Sequence, residues 1–372
     1  MKFSVSTSEF LRAIQSVEGV ITHREVKSAL SNLKLEVSPD SVSISATDLE
    51  IAIKTSVPAN ASETGIAFLP AKQLSNIFKN LQFENTLLTR SKNIDGSETL
   101  ITDSNGKIDT KFRINGLDSD EIKTIPKVND SNTTEFPTQT LKDMIRKSSF
   151  AMAVDENRFV FNGLFLKPQN TDLIAVGTDG RRLSKTVRKF VSEFPFKNGV
   201  IIPHKAIKEM TKMMEGKEKA RLGFIEDQLY VSSGNVELLF KLLEGNFPDY
   251  EQVIPKHNSY SVRLIRSEFS TYLRQAMISA EEPSKQIRLS FSKSNLNISS
   301  SNPGTMQFEL NTPIDYSGES LTIAFKGEYL NDVVKAVEDP EILLEFTTSS
   351  SPVLFKDPSD SEFVSVIMPM KL

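Results

Sequence analysis

The chain has 372 residues, long enough for two or three domains at about 150 residues each. Hydrophobic residues make up 38% and charged residues 25%, with no apolar run near the ~18 residues of a membrane span, so a folded chain without a transmembrane helix is expected. The absence of cysteine removes disulfide frameworks, zinc–thiolate sites and thiol nucleophiles, and a net charge of −4 gives no whole-molecule sign of a polyanion partner.

The opening Met1-Lys2-Phe3-Ser4-Val5 passes straight into alternating sequence, without the apolar stretch and cleavage site of a secretory signal, which predicts a cytoplasmic location. From there three stretches repeat one order of parts. Each starts with a short strand and an amphipathic helix: Phe3-Ser4-Val5 then Ser8 to Val17, Glu135-Phe136 then Thr138 to Phe150, and Tyr260-Ser261-Val262 then Ser267 to Ala280. Ser8, Thr138 and Ser267 read as helix caps. A pair of period-two strands follows in each stretch, such as Leu33 to Val37 with Val42 to Ala46, Gly163 to Leu166 with Leu173 to Val176, and Ile287 to Phe291 with Leu296 to Ile298. A second helix comes next, over Ala71 to Asn80, His204 to Met214 and Lys326 to Glu338. Further alternating strands close each repeat.

The spacing supports repetition. Leu74, Ile207 and Leu330 hold one place in the second helix at intervals of 133 and 123 residues, and Asp48, Asp179 and Asn302 follow the second hairpin strand at 131 and 123. Polar linkers are expected at 118–134 and 248–259. The reading is an α+β chain of three repeated domains, 1–125, 126–253 and 254–372, each with two helices and about eight antiparallel strands.

No enzyme constellation stands out. Phosphate-loop, dinucleotide, Gly-x-Ser-x-Gly and His-Glu-x-x-His patterns are missing, and His23, His204 and His257 fall in different repeats without ligand spacing, so neither a metal nor a cofactor is expected. Asp48 with Glu50, and Asp172 with Asp179, are carboxylate pairs at strand ends, where Asp commonly caps a turn. The stretch Asp103-Ser104-Asn105-Gly106 lacks the spacing and final Glu of a calcium loop and reads as a turn between strands.

Sorted by element, charge becomes informative. The helices at 71–80, 138–150 and 204–214 carry about +2 each and all six together about +5, which leaves about −9 for the remainder. Lys72, Lys79, Lys142, Arg146, Lys147, Lys205, Lys208 and Lys212 supply most of the positive share. They form either a footprint for a polyanion or ordinary solvated helix faces. The last residues, Val364 to Leu372, are an apolar strand where chain ends are usually polar; they read as a buried closing strand or as one wall of a peptide site with adaptable methionines.

Taken in order, Met1-Lys2-Phe3, Ala46-Thr47-Asp48-Leu49-Glu50, Asn162-Gly163, Thr178-Asp179-Gly180 with Arg182-Leu183, Phe247-Pro248-Asp249-Tyr250 and Met368-Pro369-Met370-Lys371-Leu372 make the chain resemble the bacterial beta sliding clamps, the beta subunits of DNA polymerase III. The resemblance runs from first residue to last. It implies clamp-type domains in a head-to-tail ring homodimer whose basic helices surround duplex DNA without sequence preference, serving as a processivity factor in DNA replication and not as an enzyme. It also implies a groove for short linear peptides of the DNA polymerase III alpha subunit, the clamp loader, other polymerases and repair proteins. Carried over by position, the groove residues are Phe161, Thr178, Gly180, Arg182, Leu183, Pro248, Val253, Tyr329, Val366, Ile367, Met368, Pro369 and Met370. Arg24 matches a DNA-contacting loop position, and Phe112, Ile114 and Ile278 match the dimer interface. Arg181, Gln252, Ser284, Lys326 and Pro352 depart from the family pattern and bear on the peptide preferred. The readings from other classes are a repeat-built interaction scaffold indifferent to DNA and a metal-dependent hydrolase using Asp48, Glu50 or Asp179.

Overall fold

The computed structural model describes every residue except 22–28, 94–95, 118–124, 126–132, 155–156, 226 and 372. In the first repeat β1 (Lys2–Ser6) leads into α1 (Thr7–Val17), followed by β2 (Asn32–Val37), β3 (Ser41–Thr47), β4 (Ile51–Pro58), β5 (Asn60–Glu63), β6 (Gly65–Pro70), α2 (Ala71–Asn80), β7 (Asn85–Asn93), β8 (Gly96–Asp103) and β9 (Lys111–Gly116). The second holds β10 (Thr133–Pro137), α3 (Thr138–Ser149), β11 (Gly163–Gln169), β12 (Asp172–Thr178), β13 (Arg182–Lys189), β14 (Val200–Pro203), α4 (His204–Met213), β15 (Lys219–Ile225), β16 (Gln228–Ser233) and β17 (Val236–Lys241). The third holds β18 (Tyr260–Ile265), α5 (Arg266–Ser279), β19 (Gln286–Ser292), β20 (Asn295–Asn302), β21 (Met306–Pro313), β22 (Leu321–Lys326), α6 (Gly327–Ala336), β23 (Glu341–Phe346), β24 (Val353–Asp357) and β25 (Asp360–Ile367).

Each helix is fixed by an apolar stripe. α1 buries Phe10, Ala13, Ile14 and Val17, at i, i+3, i+4 and i+7, while α2 buries Leu74, Ser75 and Phe78 and α6 buries Leu330, Val333 and Val334. The expected caps are a correction. Ser8 and Ser267 lie inside their helices, and neither α1 nor α5 has a side-chain cap; the Thr138 hydroxyl donates instead to the carbonyl of Lys217. The leading N–H of each of these helices is satisfied by the chain just past the second helix of the same repeat: Thr7 N to Glu84 O at 3.0 Å, Thr138 N to Glu218 O at 3.0 Å and Arg266 N to Pro340 O at 2.8 Å. A helix N-terminus needs a partner for its free N–H groups, and a neighbouring carbonyl serves as well as a capping side chain.

The chain forms two compact units. The first, Met1–Thr138 with Ser192–Pro195 and Lys208–Leu242, contains a five-stranded sheet in the order β5-β1-β7-β8-β9 and an eight-stranded sheet in the order β10-β15-β16-β17-β4-β3-β2-β6. Strands of the first and second repeats join in that larger sheet through β17 and β4, with Leu238 opposite Ile53 and Phe240 opposite Ile51. The second unit, Gln139–Val191 with Phe196–Ile207 and Leu243–Leu372, contains a four-stranded sheet, β21-β20-β19-β22, and an eight-stranded sheet, β14-β11-β12-β13-β25-β24-β23-β18. Here the second and third repeats join through β13 and β25. The second repeat therefore gives one half-sheet to each unit.

Within the second unit α3 lies so close to β12 that a Cβ on Gly177 would sit 2.2 Å from the carbonyl oxygen of Ser148, a spacing only glycine allows. Residues 248–259, expected as a linker, are packed in part: Tyr250–Val253 form a short 3-10 turn started by the Asp249 carboxylate on the N–H of Glu251, and Tyr250 is buried against Leu183 and Val366. The other expected linker, 118–134, lies largely outside the described residues, apart from Ile125, which is buried beside Tyr230 and Leu239. Among the described residues no helix is long and apolar enough to cross a membrane.

Candidate functional site

The turn between β12 and β13 organises one side of the expected groove. The Thr178 hydroxyl donates to Arg182 O at 2.6 Å and accepts from Gly180 N at 3.1 Å, while Asp179 Oδ1 accepts from the N–H groups of Arg181 and Arg182 at 2.9 and 3.0 Å. Gly180 takes φ +82°, and a Cβ there would lie 3.4 Å from the ring of Phe161. The first repeat builds the same turn from Thr47 and Asp48, with Leu49 in the left-handed region at φ +78°. Asp48 and Asp179 thus each turn one carboxylate oxygen to backbone N–H groups, as strand-end aspartates do. Asp103 does likewise, holding the N–H groups of Asn105, Lys107 and Ile108; the Asn105 bond leads the interactions that keep its carboxyl below the usual range, against some burial.

Antiparallel pairing of β13 and β25 sets Arg182 opposite Ile367 and Leu183 opposite Val366. Past the strand the terminal segment is tied three times: Met368 N donates to Arg181 O at 2.9 Å, Met370 N to Ala324 O at 2.8 Å, and Gln286 Nε2 to Lys371 O at 2.9 Å. Leu183, Val366, Val176, Ile174, Leu354 and Tyr250 form an apolar cluster, extended by Phe247, which stacks on Phe165 at 4.5 Å and meets Phe161 edge-on at 6.2 Å. Arg182 stands at the side, bonded to Asp179 at 3.1 Å and Asp332 at 2.7 Å, with its guanidinium 4.3 Å from the centre of the Tyr329 ring.

Exposure divides the expected groove residues. Gly180, Pro248, Val253 and Met368 are exposed, and Arg182, Tyr329, Pro369 and Met370 are half-buried. Phe161, Thr178, Leu183 and Val366 are buried. Ile367 is a correction: strand alternation turns it away from Val366 and into the core of the third repeat, with Leu330 and Val353. Sequence reasoning missed Phe165 and Asp332, whose partners lie far along the chain, whereas Phe247 and Tyr250 sat within a motif already singled out.

The helix cations also divide. Lys72, Lys79, Lys208 and Lys212 are exposed, and Lys142 and Lys205 are half-buried. In the first unit the end of α1 gathers two of them: Lys212 Nζ donates to Gln15 O at 2.6 Å, and Lys79 lies 4.0 Å from Glu18. Lys147 is a correction. Its side chain is 2% exposed and its ammonium is held by Asp360 at 2.6 Å, so it presents no charge to a solvent-borne polyanion. Arg146 reaches Glu338 at 2.5 Å and Asp143 at 2.9 Å, which neutralises much of its charge. Arg24 lies outside the described residues. Phe112 and Ile114 point to one face of β9, an edge strand of its sheet, and Ile278 is 74% exposed on α5.

Family models for the N-terminal, central and C-terminal domains of the DNA polymerase III beta subunit match residues 1–126, 135–249 and 251–371. The chain belongs to the DNA polymerase III beta subunit family. It is a DNA sliding clamp with three clamp domains. A beta sliding clamp of Chlamydia pneumoniae is 29% identical over 372 residues, covering 100% of this chain and 99% of the relative, and one of Staphylococcus aureus is 29% identical over 384 residues with the same coverage. Among solved structures, the sliding clamp of Bartonella birtlesii superposes with a TM-score of 0.92 at 25% identity and that of Pseudomonas aeruginosa with 0.90 at 26%, each covering 100% of both chains; both of those clamps are bound to griselimycin. The same match sets aside the DNA-indifferent scaffold and the hydrolase, whose proposed aspartates are occupied in turns.

Two tyrosines beside the β13–β25 junction carry a measurable signature. Burial first, then the charges of Glu251 and Asp249, pushes Tyr250 up to about 12; burial first, then Asp179, pushes Tyr329 up to about 12. A raised folded value means stabilisation that is complete below the ordinary tyrosine value of about 10 and is lost as the pH rises toward 12. An ultraviolet titration of the folded protein is expected to show both ionising late, and Tyr329→Phe to remove one late group; ionisation of all six tyrosines near the ordinary value would contradict this environment.

Proposed function

We propose that two copies of this chain close head to tail into a ring around duplex DNA, and that the segment Met368–Met370, with the turn at Gly180 and the apolar cluster around Leu183, takes short extended peptides from the DNA polymerase III alpha subunit, the clamp loader, other polymerases and repair proteins. The clamp has no reaction to catalyse; it holds a polymerase at the primer end by raising its effective concentration. The domains of this reading are 1–125, 126–253 and 254–372. The observation that carries it is the terminal segment fastened to the turn before β13 at Arg181 and to β22 at Ala324, next to a strand whose Val366 joins an apolar cluster with Leu183 and Tyr250.

The ring reading is supported by two sheet edges. β9 and β21 are edge strands, and their apolar residues Phe112 and Ile114, and Phe308 and Leu310, alternate with polar ones. Lys111 and Arg113 on one edge complement Glu309 on the other, so pairing across copies covers unpaired backbone and joins opposite charges. Ile278→Asp is expected to give monomers by light scattering or sedimentation; a variant that stays dimeric on dilution counts against the interface.

The DNA reading rests on spacing and exposure. Lys205, Lys208 and Lys212 share one face of α4, and Lys72 and Lys79 one face of α2. Contacts to phosphate alone give weak, salt-dependent binding without sequence preference. Lys208→Glu with Lys212→Glu is expected to lower retention on circular DNA and to reduce the slope of log affinity against log salt by about 2. Tight, sequence-selective binding to linear duplex would overturn the reading.

The groove is tested by removing Met368 through Leu372. Affinity for an extended peptide carrying Gln, Leu and a terminal Phe should fall at least tenfold, about 1.4 kcal/mol, while the dimer persists. Equal binding by the truncated and intact chains, read by fluorescence anisotropy, would leave the terminus a closing strand only.

A further inference from the structure

Between the second and third repeats lies an ionic network, enclosed at Lys147 and Asp357 and open to solvent at Arg146 and Glu338, that the polyanion reading of the helices leaves unexplained. Lys147, in the last turn of α3, has its ammonium 2.6 Å from Asp360 Oδ2 and 3.7 Å from Asp357 Oδ2, the latter carboxylate fully enclosed. Arg188 of β13 donates from its two terminal nitrogens to Asp360 at 3.1 and 2.5 Å, and from Nε and one terminal nitrogen to Asp143 at 3.1 and 2.7 Å. Arg146 closes the circuit, joining Asp143, Glu338 and the carbonyl of Ala336. Three cations and four carboxylates are thus drawn together from α3 and β13 of one repeat and from the end of α6 and the β24–β25 hairpin of the next. Burial works against the charge of Asp360, but Arg188 and Lys147 hold its carboxyl below the usual carboxylate range.

Such a network adds little net stability over an apolar replacement, yet it penalises any arrangement that leaves a buried charge without its partner. The choice it makes here is visible in the adjoining ladder. β13 and β25 pair from Arg182–Ile367 to Thr186–Phe363, with Leu183 and Val366 on one apolar face and Val364 on the same face two residues along. A slip of two residues keeps every side chain on its own face, so the apolar pattern resists it poorly. It would carry the terminal segment about 7 Å along β13. Lys147 is also wired to the ladder: its carbonyl accepts from Ser184 Oγ at 2.5 Å, and Ser365 Oγ donates to Leu183 O at 2.9 Å.

We propose that Lys147, together with Arg188 and Asp360, is a register lock for the β13–β25 junction and so a positioning element of the peptide groove formed at the far end of that ladder. The groove half of this inference rests on the proposed function; the register half does not. The lock holds the second and third repeats at the alignment in which Met368 N meets Arg181 O.

The full chain contains no cysteine, so engineered pairs report register cleanly. In the native background Lys185→Cys with Val364→Cys should form a disulfide on mild oxidation, and Lys185→Cys with Glu362→Cys should not. Adding Lys147→Met, which keeps the apolar stem without the charge, should let the second pair form and weaken binding of a fluorescein-labelled pentapeptide carrying Gln, Leu and a terminal Phe at least tenfold. Because the single change strands Asp360, the same readings are taken on Lys147→Met with Asp360→Asn, which removes both charges, and on Arg188→Gln. Disulfides confined to the native register in every folded variant overturn the lock, whatever happens to the peptide. A shifted register with unchanged peptide affinity overturns its positioning role. A shifted register in a chain whose intact form ignores the peptide supports the lock and defeats the groove reading instead.

Discussion

A strand at the edge of a sheet exposes a row of unpaired N–H and C=O groups, and each repeat of this chain builds half-sheets that end in such edges. Pairing β17 with β4 and β13 with β25 converts those edges into continuous eight-stranded sheets. Much else follows from these two ladders. The helices can pack their apolar stripes only where the sheets present a continuous face, and the second repeat gives up one half-sheet to each neighbour. The C-terminal segment gains its position because β25 lies against β13 before the chain runs on to β22.

The two junctions solve the alignment problem differently. At β17–β4 the meeting side chains are largely apolar, with Leu238 opposite Ile53 and Phe240 opposite Ile51, and Lys212 adds a charged hydrogen bond to the end of α1. At β13–β25 polar contacts bracket the ladder, Arg182 with Asp179 and Asp332 at one end and Arg188 with Asp143 and Asp360 at the other. Apolar alternation specifies which face is inward but tolerates shifts by two, whereas a buried charge left without its counterion is costly. The more directional contacts stand at the junction from which the terminal segment continues.

Function and charge are related in the same local way. A net charge of −4 hides cationic faces on α2 and α4, because acidic residues elsewhere outweigh them. Yet basic residues on a helix are not interchangeable: Lys208 is exposed, while Lys147 is enclosed beside Phe363 and three carboxylates. Counting charge per helix treated both alike.

What the sequence determined by itself is whatever rests on neighbours within a few residues. The helix stripes, the alternating strands, the threefold spacing and the aspartate turns at Asp48 and Asp179 all depend on local periodicity and local hydrogen bonds, and all were legible from residue order. The tertiary structure alone decided which carbonyl completes each leading helix, that Ile367 turns into the third core while Val366 packs with Leu183 and Tyr250, and that Lys147 is a buried structural cation. In each case the deciding partner is remote: Asp360 lies 213 positions from Lys147 and Asp332 lies 150 from Arg182. A one-dimensional pattern gives the face on which a side chain stands, and only the packed fold gives what stands opposite it.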